Sequence, residues 1–91
     1  MSLLPEDFAA AQLRVKQLPR PPAVDELLDL YSLFKQATIG DASGKAPSPL
    51  DFKGRAKFDA WARRKGMTRE ASMQAYVDLV GALVGKYPRA G

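Results

Sequence analysis

Val24-Asp25-Glu26-Leu27-Leu28-Asp29-Leu30-Tyr31-Ser32-Leu33-Phe34-Lys35-Gln36-Ala37-Thr38-Ile39-Gly40 decides the fold class, because Val24, Leu27, Leu28, Tyr31 and Phe34 recur at steps of three and four, the period of one helical face. Asp25 and Glu26 fall in the first turn, where carboxylates suit the positive end of the helix dipole, and Gly40 stands where a C-terminal cap is expected. Upstream, Leu4-Pro5-Glu6-Asp7 opens a helix with Pro at an early position, and Phe8, Ala11, Val15 and Leu18 continue it until Pro19, Pro21 and Pro22 end it.

Downstream, Phe58, Trp61, Ala62 and Lys65 give a third helix from about Gly54 to Gly66. Thr68 caps a fourth, whose apolar stripe of Met73, Tyr76, Val77, Val80, Leu83, Val84 and Tyr87 runs to Pro88. Gly81 and Gly85 within it either permit close helix contact or are merely tolerated. No run alternates like a strand and no repeat is visible, so the expected class is all-α with four helices. Residues 40–49, rich in Gly, Ser and Pro, form a long connection of the kind that often carries function.

The 91 residues suit a single domain spanning 1–91, and 46% hydrophobic with 26% charged residues is ordinary globular composition. The absence of Cys and His removes disulfides, thiol nucleophiles, histidine triads and the usual zinc sites. No catalytic residue, metal or cofactor is therefore expected, and the acids Asp7, Asp25, Asp29, Asp59 and Asp78 read as helix-start or solvent-face residues. Met1–Asp7 lacks the basic start and apolar stretch of a signal peptide and no stretch is long enough to span a bilayer, so a cytoplasmic protein without membrane insertion is expected, as a monomer.

The net charge of +4 is unevenly spread: residues 53–65 hold six basic residues against Asp59, a local +5 that leaves −1 for the remainder. Lys53, Lys57 and Arg64 share a side of the third helix if it extends back to Lys53, with Phe58, Trp61 and Ala62 on another. That side is either a phosphate-binding surface beside an aromatic ring or a solvated face. Tyr31 and Lys35, four apart beside Leu27 and Leu28, make a stripe that is part apolar and part cationic, which suits a ligand with an oily tail and an anionic head. On spacing alone the other reading is favoured, with Tyr31 in the core and Lys35 a solvated rim, since long Lys stems commonly cover apolar surface. Gly40–Ala46 has neither the spacing of a phosphate-binding loop nor a preceding strand.

Tyr31-Ser32-Leu33-Phe34-Lys35-Gln36-Ala37-Thr38-Ile39-Gly40-Asp41 resembles the YxxYKQATxGD signature of the acyl-CoA-binding protein family, and Leu50-Asp51-Phe52-Lys53-Gly54-Arg55-Ala56-Lys57-Phe58-Asp59-Ala60-Trp61 resembles its LDFKGKAKWDAW segment. Ala75-Tyr76-Val77, the Lys86-Tyr87 ending and the Phe8, Val15, Leu18 stripe are similar in spacing, so the resemblance covers nearly the whole chain. It implies an up-down-down-up four-helix domain that binds medium- to long-chain acyl-CoA as an intracellular carrier and pool former, without catalysis.

Carried over, the resemblance assigns Tyr31, Lys35 and Lys57 to the adenine and 3′-phosphate end, brings Lys16 from helix one and Tyr76 from helix four, and adds the charge of Lys53. Ser32, Leu33 and Phe34 fall within the signature and join the ligand set; Leu27, Leu28 and Ala11 border the acyl chain. Phe34 stands where the family usually has Tyr, Phe58 where it has Trp, and Gln12 where a small residue is common. Transient contact with acyl-CoA-using enzymes is implied as well. The alternative is a small basic helical module binding nucleic acid or protein, against which stands the lack of any basic arm.

Overall fold

The computed structural model describes residues 3–88. Four helices, α1 (Leu4–Lys16), α2 (Val24–Thr38), α3 (Phe52–Ala62) and α4 (Arg69–Lys86), follow one another, with no strand among the described residues. Local chemistry sets their ends. Pro5 and two acids open α1; the Asp51 carboxylate accepts from Gly54 N at 3.0 Å to open α3, and the Thr68 hydroxyl accepts from Ala71 N at 3.0 Å to open α4. α2 stops as Ile39 and Gly40 donate back to the Lys35 carbonyl, with Gly40 at φ +101, a conformation that L side chains resist.

The helices pack as α1 on α4, α4 on α2 and α2 on α3. Residue partners give the directions. Phe8 meets Tyr76, and Arg14 and Leu18 share a cleft with Val84 and Tyr87, so α1 and α4 run parallel. Glu26, early in α2, reaches Lys86 and Tyr87 at the end of α4, while Gln36 donates to the Met67 carbonyl before its start; these two helices are antiparallel. Lys57 lies against Tyr31, and Trp61 donates to the Gly40 carbonyl, so α3 runs parallel to α2. The order is up-down-down-up. It also explains the long connection: two parallel neighbours require the chain to return along α2, roughly 22 Å at 1.5 Å per residue, before α3 starts.

The main core joins α1, α4 and α2 through Phe8, Ala11, Leu30, Leu33, Ala37, Tyr76, Val80 and Leu83. α2 corrects the simple stripe read from its sequence: it is packed on two sides, so Leu30, Leu33 and Ala37 enter the core, whereas Val24 is 74% exposed and Leu27 and Tyr31 also remain open. Gly81 and Gly85 face open space, with nothing within 4 Å of an added Cβ, so they are tolerated rather than used for close packing.

A polar corner fixes the far end. Buried Gln36 donates to Asp41 at 2.8 Å and to the Met67 carbonyl at 3.1 Å, and Asp41 also accepts from Gly66 N at 2.9 Å. The Gly66 amide and then the Gln36 side chain hold the Asp41 carboxyl below its ordinary pKa.

Candidate functional site: an apolar groove headed by lysines

α2 and α3 diverge beside their shared seam and leave a groove of about 440 Å³ lined by Val24, Leu27, Leu28, Tyr31, Phe52, Lys53, Ala56 and Lys57. The floor is apolar, and Val24 and Phe52 (77% exposed), which line it, stay in water. Tyr31 stands at the head. Two ammonium groups lie over its ring, Lys57 Nζ at 5.3 Å and Lys35 Nζ at 5.9 Å from the centroid, and Lys35 Nζ is also 4.9 Å from the Trp61 centroid. Such contacts hold the long side chains against aromatic faces while leaving N–H groups free for an anion.

Other charges on α3 are already matched. Arg55 pairs with Asp59 at 3.2 Å, and Arg64 donates to Ser32 Oγ at 3.0 Å and reaches Asp29 at 3.5 Å. Arg64 therefore leaves the side shared by Lys53 and Lys57, because α3 ends at Ala62 and the following turn swings it onto α2. Among the described residues no carboxylate forms an ion pair with Lys35, Lys53 or Lys57. Ala62, expected with the buried side, is exposed; Ala60 is buried with Trp61 instead.

The structure thus brings together Tyr31, Lys35, Lys53, Lys57, Leu27 and Leu28. Four other candidates lie away from the groove. Ser32 is buried, donating to the Asp29 carbonyl at 2.8 Å while accepting from Arg64, so its hydroxyl is occupied. Leu33 and Ala11 lie in the core among α1, α2 and α4 and present no surface to the groove. Phe34 is half-buried and stacks on Phe8 with centroids 6.1 Å apart, bridging α1 and α2.

Lys16 is exposed in the last turn of α1, where it also suits the negative end of the helix dipole, and it does not line the groove. Tyr76 is 5% exposed, with its ring edge on Phe8 at 5.1 Å. Its hydroxyl meets no hydrogen-bonding partner among the described residues but is not sealed from solvent, and burial of the ring end pushes its pKa above the ordinary tyrosine value. Gln12 folds back onto the Phe8 carbonyl at 3.3 Å, and Phe58 sets its ring edgewise to Trp61.

Val24, Phe52 and Ala56 are groove residues that sequence reasoning passed over. With α3 begun at about Gly54, Phe52 lies ahead of the expected helix. The signal was the four-residue step from Phe52 to Ala56, which runs beside the step from Lys53 to Lys57 once Asp51 is recognised as the cap.

The family model described as acyl CoA binding protein matches residues 5–80. The chain belongs to that family. It is 47% identical over 85 residues to an acyl-CoA-binding protein homolog of Drosophila melanogaster, covering 93% of this chain and 99% of the fly protein. It is 46% identical over 87 residues to acyl-CoA-binding protein homolog 1 of Caenorhabditis elegans, covering 96% and 98% respectively. Among solved structures, the crystal structure of acyl-CoA-binding protein 2 from Oryza sativa superposes with a TM-score of 0.86 at 34% identity, over 91% of this chain and 92% of the rice chain.

Proposed function

We propose that residues 1–91 form one acyl-CoA-binding domain that holds medium- to long-chain acyl-CoA thioesters as a carrier and pool former, with no chemical step of its own. The observation that carries this function is the gathering of Lys35 and Lys57 at the Tyr31 ring, at the head of an apolar groove. A CoA 3′-phosphate bears about −1.5 to −2 charge near pH 7, the charge of a phosphomonoester, and two or three unpaired lysines converge to meet it. The Tyr31 ring offers a face for the adenine, and Leu27 and Leu28 cover methylenes. Lys16 and Tyr76 enter as contributions from α1 and α4 that the groove lining does not include.

The apolar and ionic parts have separate tasks. Burying one CH₂ is worth about 0.8 kcal/mol, so the tail sets strength while the lysines select the CoA head. Pairing of Arg55 and Arg64 with acids breaks the continuous basic face that a nucleic-acid binder would need. No described helix is long and apolar enough to cross a membrane. Cytoplasmic residence, a monomeric state and transient hand-over to acyl-CoA-using enzymes complete the proposal.

Calorimetry with free CoA and a series of acyl-CoA esters tests it. Affinity should rise with chain length and level off once methylenes extend past Val24 and Phe52. Equal affinity for free CoA and a sixteen-carbon ester would remove the groove from the function.

A further inference from the structure

A second concavity lies between the C-terminal ends of α1 and α4, beside the start of α2. It measures about 260 Å³ and is lined by Arg14, Gln17, Leu18, Pro19, Val84 and Tyr87, none of which belongs to the lysine groove. Its floor is held firmly. Tyr87 donates its hydroxyl to Glu26 at 2.7 Å, and Lys86 forms an ion pair with the same carboxylate at 2.7 Å.

The charge there is one-sided. Residues 8–24 contain Arg14, Lys16 and Arg20 and no acid, and residues 79–91 contain no acid either. Asp25 and Glu26 are the nearby acids, acting on Lys86, and Glu26 is taken up by Lys86 and Tyr87. Arg14 and Arg20 form no ion pair among the described residues, and the Arg20 guanidinium sits 5.5 Å from the Tyr87 centroid. The remainder charge of −1 outside residues 53–65 thus conceals a basic end.

We propose that this cleft docks an acidic segment of a partner protein through one aromatic or large aliphatic side chain, with carboxylates on either side of it meeting Arg14 and Arg20. The cleft's size suits one such side chain, and Arg and Tyr around an apolar pocket are the residue types that dominate protein interfaces. A lipid surface calls instead for protruding apolar side chains, whereas Leu18, Val84 and Tyr87 are half-buried in a concavity. Because the cleft is separate from the groove, the docked protein keeps its ligand site open.

The test is a ¹⁵N-detected NMR titration of the full chain with a synthetic seven-residue peptide of alternating Glu and Asp around a central Phe, beside a version with Ala at the centre. The Phe peptide should shift the amides of Leu18, Val84 and Tyr87 and leave those of Tyr31 and Lys57 in place, and the Ala peptide should bind clearly more weakly. The double variant Arg14→Glu with Arg20→Glu, whose changes are both at exposed positions, should lose about tenfold or more in peptide affinity, that is about 1.4 kcal/mol, with unchanged far-UV circular dichroism and unchanged affinity for a sixteen-carbon acyl-CoA. Shifts centred on Tyr31 and Lys57, equal binding of the two peptides, or an arginine-dependent attraction to phosphatidylserine vesicles without peptide binding would each overturn the proposal.

Discussion

α2 takes part in two seams that differ in kind. Against α4 and α1 it buries Leu30, Leu33 and Ala37 with Val80, Leu83 and Phe8, an apolar contact closed at one end by Glu26 with Lys86 and Tyr87 and at the other by Gln36 with Asp41. Against α3 it buries little beyond Ala60 and Trp61, relies on the Trp61 to Gly40 and Arg64 to Ser32 bonds, and then opens into the groove. Apolar residues therefore serve opposite ends on one helix. Those that meet a neighbour hold the fold, and those left without one are available to a ligand.

The sharpest way to break this division is to truncate a leucine on each side. Leu83→Ala, at a site 1% exposed, should cost about 2–5 kcal/mol of stability, because a cavity is left in a core that relaxes only partly. Leu27→Ala removes a side chain already 44% exposed, so the melting temperature should change little while affinity for long acyl-CoA falls and affinity for free CoA stays. Thermal melts and calorimetry on both variants decide the matter. A Leu27 variant that melts as early as the Leu83 variant would merge the two seams.

Next in size are the lysines. Lys57→Ala and Lys35→Ala should each weaken acyl-CoA binding by about 1.5–3 kcal/mol, the range for a hydrogen bond to a charged group, with little change in melting. Dephospho-CoA esters, lacking the 3′-phosphate, should show most of the same loss with the unaltered protein and little further loss with the Lys57 variant. Full sensitivity to both substitutions with the dephospho ligand would give these lysines another role.

The four helices and the shared face of Tyr31 and Lys35 were legible because both rest on short-range spacing. Pro5, Thr68 and Gly40 mark ends by their own backbone chemistry, and Tyr31 and Lys35 share a face whatever the neighbours do. The burial of Ser32, Leu33 and Ala11 was not legible, because a signature names a stretch of chain, whereas alternate residues of a helix face different neighbours. The departure of Arg64 from the lysine side was equally hidden, since it depends on α3 stopping at Ala62 and on Asp29 waiting across the seam. Charge separation at the α1 and α4 ends was invisible for a further reason: parallel packing of the first and last helices brings together residues far apart in sequence.

Acid distinguishes the seams in another way. The Lys86 and Tyr87 side chains hold the Glu26 carboxyl at a pKa of about 2, against an ordinary 4.5. A carboxylate whose folded pKa is depressed contributes stability that is present above its unfolded value and lost as pH falls toward the folded one. The α2–α4 clasp should therefore weaken between about pH 4.5 and 2. Glu26→Gln should melt below the unaltered protein at pH 7, with the gap narrowing across that window, while acyl-CoA affinity at pH 7 is unchanged. A gap that does not vary with pH would mean that the carboxylate charge is not what joins these helix ends.

The smallest expected effect lies in the α1, α2 and α4 core. Tyr76 sits in the core with its ring edge against Phe8, yet its hydroxyl has no partner among the described residues. A hydroxyl that reaches solvent and has no internal partner adds little to folding, so Tyr76→Phe should leave the melting temperature nearly unchanged. If that hydroxyl meets acyl-CoA across the floor, the same substitution should weaken binding by about 0.5–1.5 kcal/mol, the net size of one neutral hydrogen bond. Calorimetry and melting on one variant read both quantities. A clear fall in melting temperature with untouched affinity would give the hydroxyl an internal partner and assign Tyr76 wholly to the core, leaving the groove to α2 and α3 alone.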